Sequence, residues 1–163
     1  MKKNLAFLLA VVLAFSCLLG LSATAAEPSN EIAMVTVPMR ATVSILYAVE
    51  AAGYADSAAV SVVITAKDGN VLDEAEAAKN LGVYQIDGVD YILFEYSNLE
   101  AADMEVEVTA KVEGGNSTVT YSVAKFAEEY VAQYAGNADY AEEVKLVNSM
   151  IAYGEAVAAM KKN

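Results

Sequence analysis

The spacing of apolar residues changes once between residue 27 and the C-terminus, and that change limits the folds this part of the chain can adopt. From residue 27 to Ser122, apolar side chains alternate with polar ones in short runs, which is the pattern of half-buried β-strands. After Ser122 they recur every three or four residues, which is the spacing of helices. Strands first and helices last indicate an α+β fold: a mainly antiparallel β-sheet or sandwich, followed by a C-terminal pair of helices packed on it.

Turn residues divide the alternating part into runs of strand length. Ile45, Tyr47 and Val49 share one face at a period of two. Asp87-Gly88 lies between two alternating runs and predicts a tight hairpin there. The runs that we expect to be strands are residues 32–37, 41–49, 60–66, 83–86, 89–96, 105–112 and 117–123.

The helical part begins with Ser122 as a plausible N-cap, and Gly136-Asn137 ends its first helix. A second helix over residues 140–160 carries two apolar stripes, and so wide an apolar arc predicts that this helix is covered on more than one side. The stripes are Val144, Val147, Ile151, Gly154 and Ala158, and Leu146, Met150, Tyr153, Val157 and Met160. Earlier in the chain, the Ala- and Glu-rich run 73–81 predicts a short helix or an irregular excursion.

Residues 1–26 have the three parts of a secretory signal peptide. Two lysines follow the initiating methionine, a long uncharged apolar run comes next, and small residues end the segment. We therefore predict an N-terminus at Ala26 or Glu27 after cleavage. The remaining residues, 27–163, form a single α+β domain that is secreted or associated with the cell surface.

Two alternatives remain for this leader. Cys17 is a candidate for lipid attachment, although the bulky Phe15 before it does not suit that modification and a better cleavage site follows. The leader could also stay uncleaved as an anchor, because its apolar run is just long enough to span a bilayer. The Ala-rich exit favours cleavage.

Charge and cysteine content narrow the choice of partners. The formal net charge of −12 becomes −14 once the two leader lysines are removed, so phosphate backbones and anionic lipid surfaces repel the domain. We therefore expect no nucleic-acid partner, and no membrane partner after removal of the signal. The chain has one cysteine, in the leader, so the exported domain is stabilised by packing without disulfides.

The exported part has few of the residues that enzymes use. It has no His, Cys or Trp, which excludes Ser–His triads, thiol nucleophiles and the usual zinc sites. Its adjacent acids, Glu128-Glu129 and Glu142-Glu143, diverge around a helix and do not form the facing pair of a glycosidase. We predict a protein that is not an enzyme and has no catalytic residue and no cofactor.

Two motifs could indicate a specific function, but each also has an ordinary structural explanation. Ser122 and Lys125 fit the S-x-x-K pattern of penicillin-recognising enzymes, but the companion motifs are missing or out of order, so we interpret Ser122 as a helix cap. The acidic turns at residues 68–73 and 87–90 lack the 12-residue calcium loop, and turn chemistry explains their Asp-Gly pairs. No metal site is predicted.

Four tyrosines on predicted strands are weak candidates for ligand binding: Tyr84, Tyr91, Tyr96 and Tyr121. Their rings could form a platform that stacks on the faces of sugar rings. The alternative is that they supply core area, as buried tyrosines commonly do.

Residues 121–127 read Tyr-Ser-Val-Ala-Lys-Phe-Ala, and residues 144–156 read Val-Lys-Leu-Val-Asn-Ser-Met-Ile-Ala-Tyr-Gly-Glu-Ala. Together with residues 91–96 and 101–104, they resemble a recurring, uncharacterised module of exported and cell-surface proteins from anaerobic, gut-type Gram-positive bacteria. The resemblance implies an accessory or surface role, without established catalytic residues.

The sequence therefore favours a secreted or surface-associated, non-enzymatic module that binds or assembles with an extracellular or cell-wall protein or glycan. The alternative is a carbohydrate-binding module that uses the tyrosine platform. These two hypotheses differ in whether the four tyrosines lie on the surface or in the core.

Overall fold

Within residues 28–38 and 42–161, which are those that the structure describes, the computed structural model contains eight β-strands followed by two α-helices. The strands are β1 (Met34–Thr36), β2 (Ile45–Glu50), β3 (Val62–Lys67), β4 (Asn70–Ala77), β5 (Lys79–Ile86), β6 (Val89–Tyr96), β7 (Val108–Val112) and β8 (Thr118–Tyr121). The helices are α1 (Val123–Tyr134) and α2 (Ala141–Lys161), and short 3-10 turns lie at Ser57–Ala59, Ala101–Asp103 and Ala138–Tyr140. The predicted leader lies outside the described residues.

The strands form two four-stranded antiparallel sheets. The first sheet has the order β1-β2-β6-β5 and the second has the order β4-β3-β7-β8. This arrangement and the C-terminal helix pair confirm the predicted α+β class. None of the described helices is long and apolar enough to cross a bilayer.

The core fills the space between the two sheets, where alternate side chains of the central strands meet. Ile45, Tyr47 and Val49 of β2 are fully buried there, as their period of two predicted. The central strands of both sheets contribute most of the other members: Ile92 and Phe94 of β6, Val62 and Ile64 of β3, and Val108, Ala110 and Val112 of β7. Burying each large apolar side chain stabilises the fold by roughly 1.5–3 kcal/mol.

The run 73–81, expected to be a short helix or an irregular excursion, is instead extended, and that prediction is wrong. It contains the end of β4, at the edge of the second sheet, and the start of β5, at the edge of the first. The chain crosses between the sheets at the buried Ala78, whose N–H donates to the carbonyl of Val62 at 2.9 Å. Pairing with the neighbouring strands outweighs the weak strand preference of Ala and Glu.

Two hairpin turns have the positive φ angles that two-residue connections require. Asp68 and Gly69 have φ of 47° and 74°, and Asp87 and Gly88 have φ of 50° and 85°. Asp and Gly tolerate this left-handed region better than other residues, which is why the Asp-Gly pair predicted the β5–β6 hairpin correctly.

The helices close the sandwich on one side. The Ser122 Oγ accepts the backbone N–H of Lys125 at 3.1 Å, which confirms the predicted N-cap of α1. One side of α1 is buried in the core through Val123, Phe126, Ala127 and Tyr130. From there a row of tilted aromatic rings runs through Phe126, Tyr130, Tyr134 and Tyr140, with centroids 5.7, 4.8 and 4.3 Å apart.

Helix α2 packs on α1 and on the Ala101–Asp103 turn chiefly with one of its two apolar stripes, in which Val147 and Gly154 are buried. The other, hereafter the outer stripe, consists of Leu146, Met150, Tyr153, Val157 and Met160, and its Met150 is partly buried against the core. Its Leu146, Tyr153 and Met160 are 50%, 62% and 69% exposed, so the prediction that α2 is covered on more than one side is wrong for the described chain.

Candidate functional site

A groove of about 680 Å³ lies where the end of the first sheet meets α2, and we call it the end groove. It forms because β1 ends just before Pro38, β6 ends at Tyr96, and the following chain turns under α2 at Ala101–Asp103. The described residues that line it are Val37, Pro38, Thr42, Val43, Glu95, Ser97, Leu99, Ala101, Met104, Val123, Met150 and Tyr153.

The walls of the end groove are divided about equally between polar and apolar surface. Buried Val37, Met104 and Val123 contribute side chains to the lining, and Leu99, Met150 and Tyr153 come from the elements around them. Its volume falls within the range of roughly 300–1,000 Å³ that is typical of ligand pockets. Methionine is flexible and polarisable, so Met104 and Met150 can adapt to apolar ligands of different shape.

The polar side-chain groups in the described lining are those of Thr42, Glu95, Ser97 and Tyr153. Glu95 is the one acidic side chain among these lining residues, and it lies across from Lys79 in the register of β5 and β6. A hydroxyl nucleophile needs a neighbouring base to be activated, and the described lining pairs Ser97 with no His or Lys. The groove therefore combines apolar side chains with a few hydroxyl groups and one acidic residue.

A polar cluster ties the two sheets together near the end groove. The Glu76 carboxylate on β4 accepts hydrogen bonds from Lys67 Nζ at 2.8 Å, Asn98 Nδ2 at 3.0 Å and Tyr96 Oη at 2.7 Å. The Lys67 ammonium also lies 5.2 Å from the centre of the Tyr96 ring. Donation by Lys67, then by Asn98 and Tyr96, lowers the pKa of Glu76 to about 2.

A carboxylate held so strongly in its charged form is a poor proton donor or acceptor near neutral pH. Lys67 and Glu76 belong to the second sheet, whereas Tyr96 ends a strand of the first. The cluster of Lys67, Glu76, Tyr96 and Asn98 therefore acts as a clamp between the sheets, and we call it the inter-sheet clamp.

The structure separates the four candidate tyrosines into an exposed one, Tyr84, a half-buried one, Tyr91, and two in the core. Tyr84 and Tyr91 are directly opposed on β5 and β6, on the outer face of the first sheet, and Tyr84 is 37% exposed. Tyr96 and Tyr121 are buried, at 2% and 6% exposure. Their hydroxyls donate to carboxylates at 2.7 Å, that of Tyr96 to Glu76 and that of Tyr121 to Glu129.

Ser122 and Lys125, the two ends of the S-x-x-K motif, also have structural roles. The Ser122 hydroxyl caps α1, and Lys125 Nζ lies 5.5 Å from the centre of the Tyr121 ring. Burial, followed by the bond to Glu129, raises the pKa of Tyr121 above its ordinary value. In the part of the chain that the structure describes, no three potential metal-ligating side chains come together.

The end groove was not predicted from the sequence. Its walls come from three stretches that lie far apart in the chain, around Val43, Leu99 and Met150, and no short motif marks them. The available signal was indirect: the second apolar stripe of α2 includes Met150 and Tyr153, which form one wall of the groove.

Comparison with known proteins finds no matching family model, no matching curated protein and no matching solved structure. The features that bear on function are therefore those of the chain itself. They are a groove of mixed polarity at one end of an acidic β-sandwich, a pair of tyrosines on an outer sheet face, and a largely exposed apolar stripe on the last helix.

Proposed function

We propose that this protein is a non-enzymatic binding module that acts after export and holds an apolar segment of a protein partner in the end groove. The observation that carries the proposal is the groove's size together with the apolar side chains Leu99, Met104 and Met150 in its lining. Clefts lined by apolar side chains with a few polar groups are the usual form of binding sites.

Charge narrows the class of segment that the groove would accept. The chain has a net charge of −12, so an acidic partner would be repelled as it approached. An apolar segment would bury its side chains against Leu99 and Met150, and a basic residue beside it would be favoured by the negative charge of the chain as a whole. We therefore expect the partner segment to be apolar and neutral or basic.

We propose a non-enzymatic role because the exported part has few side chains suited to proton transfer or nucleophilic attack. The exported part lacks His and Cys, the residues best suited to proton transfer and nucleophilic attack near neutral pH. The pKa of Glu76 is lowered, and its carboxylate is occupied by the inter-sheet clamp. We expect the protein to bind its partner without turnover.

Selection from a random peptide library displayed on phage tests this proposal without knowledge of the natural partner. We expect the protein to enrich apolar, neutral or basic peptides, and we expect Leu99→Asp to weaken their binding about tenfold or more, because it places a charge in the apolar wall. Val71→Asp is the matched control, since Val71 is an apolar residue that is 83% exposed and does not line the groove.

Thermal melts of both variants establish that each is folded. Enrichment of acidic peptides would contradict the proposal, and so would peptide binding that a folded Leu99→Asp variant keeps at full strength. If Val71→Asp weakened peptide binding as much as Leu99→Asp, the peptides would bind outside the end groove, and this result would also contradict the proposal.

A second candidate function is carbohydrate binding by the pair Tyr84 and Tyr91. They are directly opposed across β5 and β6 and so share one sheet face, as two-ring stacking on a glycan requires, with Tyr84 exposed and Tyr91 half-buried. In pull-down assays with insoluble cell-wall polysaccharide, Tyr84→Ala should abolish retention of the protein, whereas Leu99→Asp should leave it unchanged. Retention that survives Tyr84→Ala would exclude this candidate.

A further inference from the structure

The outer stripe of α2 has the spacing of a helix-packing seam. Its residues follow one another at intervals of four, three, four and three, so they stay on one side of the helix over about 21 Å. Leu146, Tyr153 and Met160 are half or more exposed, although the other stripe of the same helix is packed on the protein. A continuous apolar seam of this kind on a surface helix marks an interaction site.

The charges of α2 favour a second copy of this chain as the occupant of that seam. Between Leu146 and Met160, Glu155 is the one charged residue, in a chain of net charge −12. Two copies that meet here avoid most of the repulsion that they would meet on an acidic surface. The first turn of the helix carries Glu142 and Glu143, which outweigh Lys145 just after it, and its last residue is Lys161, so the two ends carry opposite net charge.

The stripe is nearly symmetric about Tyr153. Leu146 and Met160 lie seven residues to either side of it, and Met150 and Val157 lie three and four residues to either side. A stripe with this symmetry matches itself when the helix is reversed, which is the requirement of a two-fold interface.

We infer that two copies pack the outer stripes of their α2 helices antiparallel, with the two-fold axis at Tyr153. Leu146 of one copy then packs against Met160 of the other, and the acidic start of each helix lies near Lys161 of the other. Lys161 also contacts Glu100 of its own chain, and an ammonium group has donors for both. A parallel pair would instead bring the acidic starts together.

One short helix seam is a small interface, below the roughly 1,200 Å² of total buried area at which stable complexes begin. The dimer should therefore be weak and concentration-dependent. The outer stripe shares Met150 and Tyr153 with the end groove, so a dimer and a peptide in the groove would compete for these residues. Leu146 and Met160 do not line the end groove, so substituting them tests the dimer separately from the proposed function.

Sedimentation over a range of concentrations measures the association. We expect the protein to pass from monomer to dimer, and we expect Leu146→Glu and Met160→Glu each to weaken the association about tenfold or more. Val71→Glu, at an exposed apolar site on β4, should leave it unchanged. A protein that stays monomeric up to millimolar concentration, or that dimerises as well with Leu146→Glu, overturns the inference.

Disulfide trapping tests the antiparallel geometry, in a Cys17→Ser background that removes the chain's one cysteine. Tyr153→Cys should cross-link to itself, because a disulfide needs Cα atoms within about 7 Å. Leu146→Cys should not cross-link to itself, since the two sites lie about 21 Å apart in this arrangement, but it should cross-link when mixed with Met160→Cys. Self-linking of Leu146→Cys in preference to the mixture would show a parallel pair and refute the arrangement.

Discussion

The packing of α2 on the sandwich depends on a glycine, and substituting it tests that packing directly. Gly154 is buried inside the helix, where glycine costs about 1 kcal/mol relative to alanine. A Cβ atom at this position would lie 2.9 Å from the carbonyl oxygen of Ala101 and 2.6 Å from Met104 Sδ. The sulfur is on a flexible side chain and can move, but the carbonyl belongs to the backbone of the Ala101–Asp103 turn.

The magnitude follows from two opposing effects. Gly154→Ala gains about 1 kcal/mol of helix preference and loses about 1–3 kcal/mol to overpacking, so we expect it to lower the free energy of unfolding by about 0–2 kcal/mol. Gly154→Leu places a larger side chain against the same carbonyl and should lower it by about 1–3 kcal/mol. Either variant would regain the lost free energy of unfolding in full only if the Ala101–Asp103 turn moved away from α2.

Urea unfolding followed by circular dichroism gives the difference in free energy from the midpoint, provided that the slope is unchanged. Gly136→Ala is the matched control, because a Cβ there meets nothing within 4 Å, and it should change stability by less than about 0.5 kcal/mol. If Gly154→Ala were instead more stable by about 1 kcal/mol, helix preference alone would be acting. The close approach of α2 to Ala101 would then be refuted.

Three further predictions concern the clamp, a buried tyrosine and the leader. The pKa of Glu76 is about 2 in the folded protein and 4.5 ordinarily, so its stabilisation is complete above pH 4.5 and is lost as the pH falls toward 2. Glu76→Gln should therefore lower stability at pH 7 by about 1–2 kcal/mol, allowing for solvent screening at a partly exposed site, and urea melts should show the difference shrinking toward pH 2. Tyr121→Phe removes the hydrogen bond that buried Tyr121 donates to Glu129, and it should lower stability by about 0.5–1.5 kcal/mol with the fold intact. Tyr84→Ala, at an exposed residue, should change stability far less. Equal losses of stability would contradict the assignment of Tyr121 to the core and Tyr84 to the surface. Mass spectrometry of the exported protein should find an N-terminus at Ala26 or Glu27, and a lipid-modified N-terminus would contradict cleavage there.

Much of the fold could be predicted because local patterns and tertiary packing agree. The alternation of Ile45, Tyr47 and Val49 identified the inner face of a strand that is buried in the core. The Asp87-Gly88 pair predicted a turn whose backbone needs residues that tolerate positive φ. In these places the requirement was local, so the residues themselves carried the information.

The misses have a common cause, which is that the deciding contacts are made with distant residues. The run 73–81 is extended because β3 and β6 offer hydrogen-bonding partners, and nothing in its Ala- and Glu-rich composition records that. The end groove joins stretches around Val43, Leu99 and Met150 that only the topology brings together. The sequence shows that the outer stripe of α2 is apolar, but it does not show whether the surface that covers this stripe belongs to the same chain.

The crossing at Ala78 also has a consequence for the order of folding. Strands β3 to β6 form two consecutive hairpins, one in each sheet, and each hairpin pairs residues that are close in sequence, such as Tyr84 with Tyr91. Adding β2 to β6 instead joins Ile45 to Tyr96 across a long loop, and loop closure makes such steps slow. We expect β3 to β6 to acquire protection from amide exchange first, so that both sheets start from one continuous segment and the remaining strands add to a template that already spans the core.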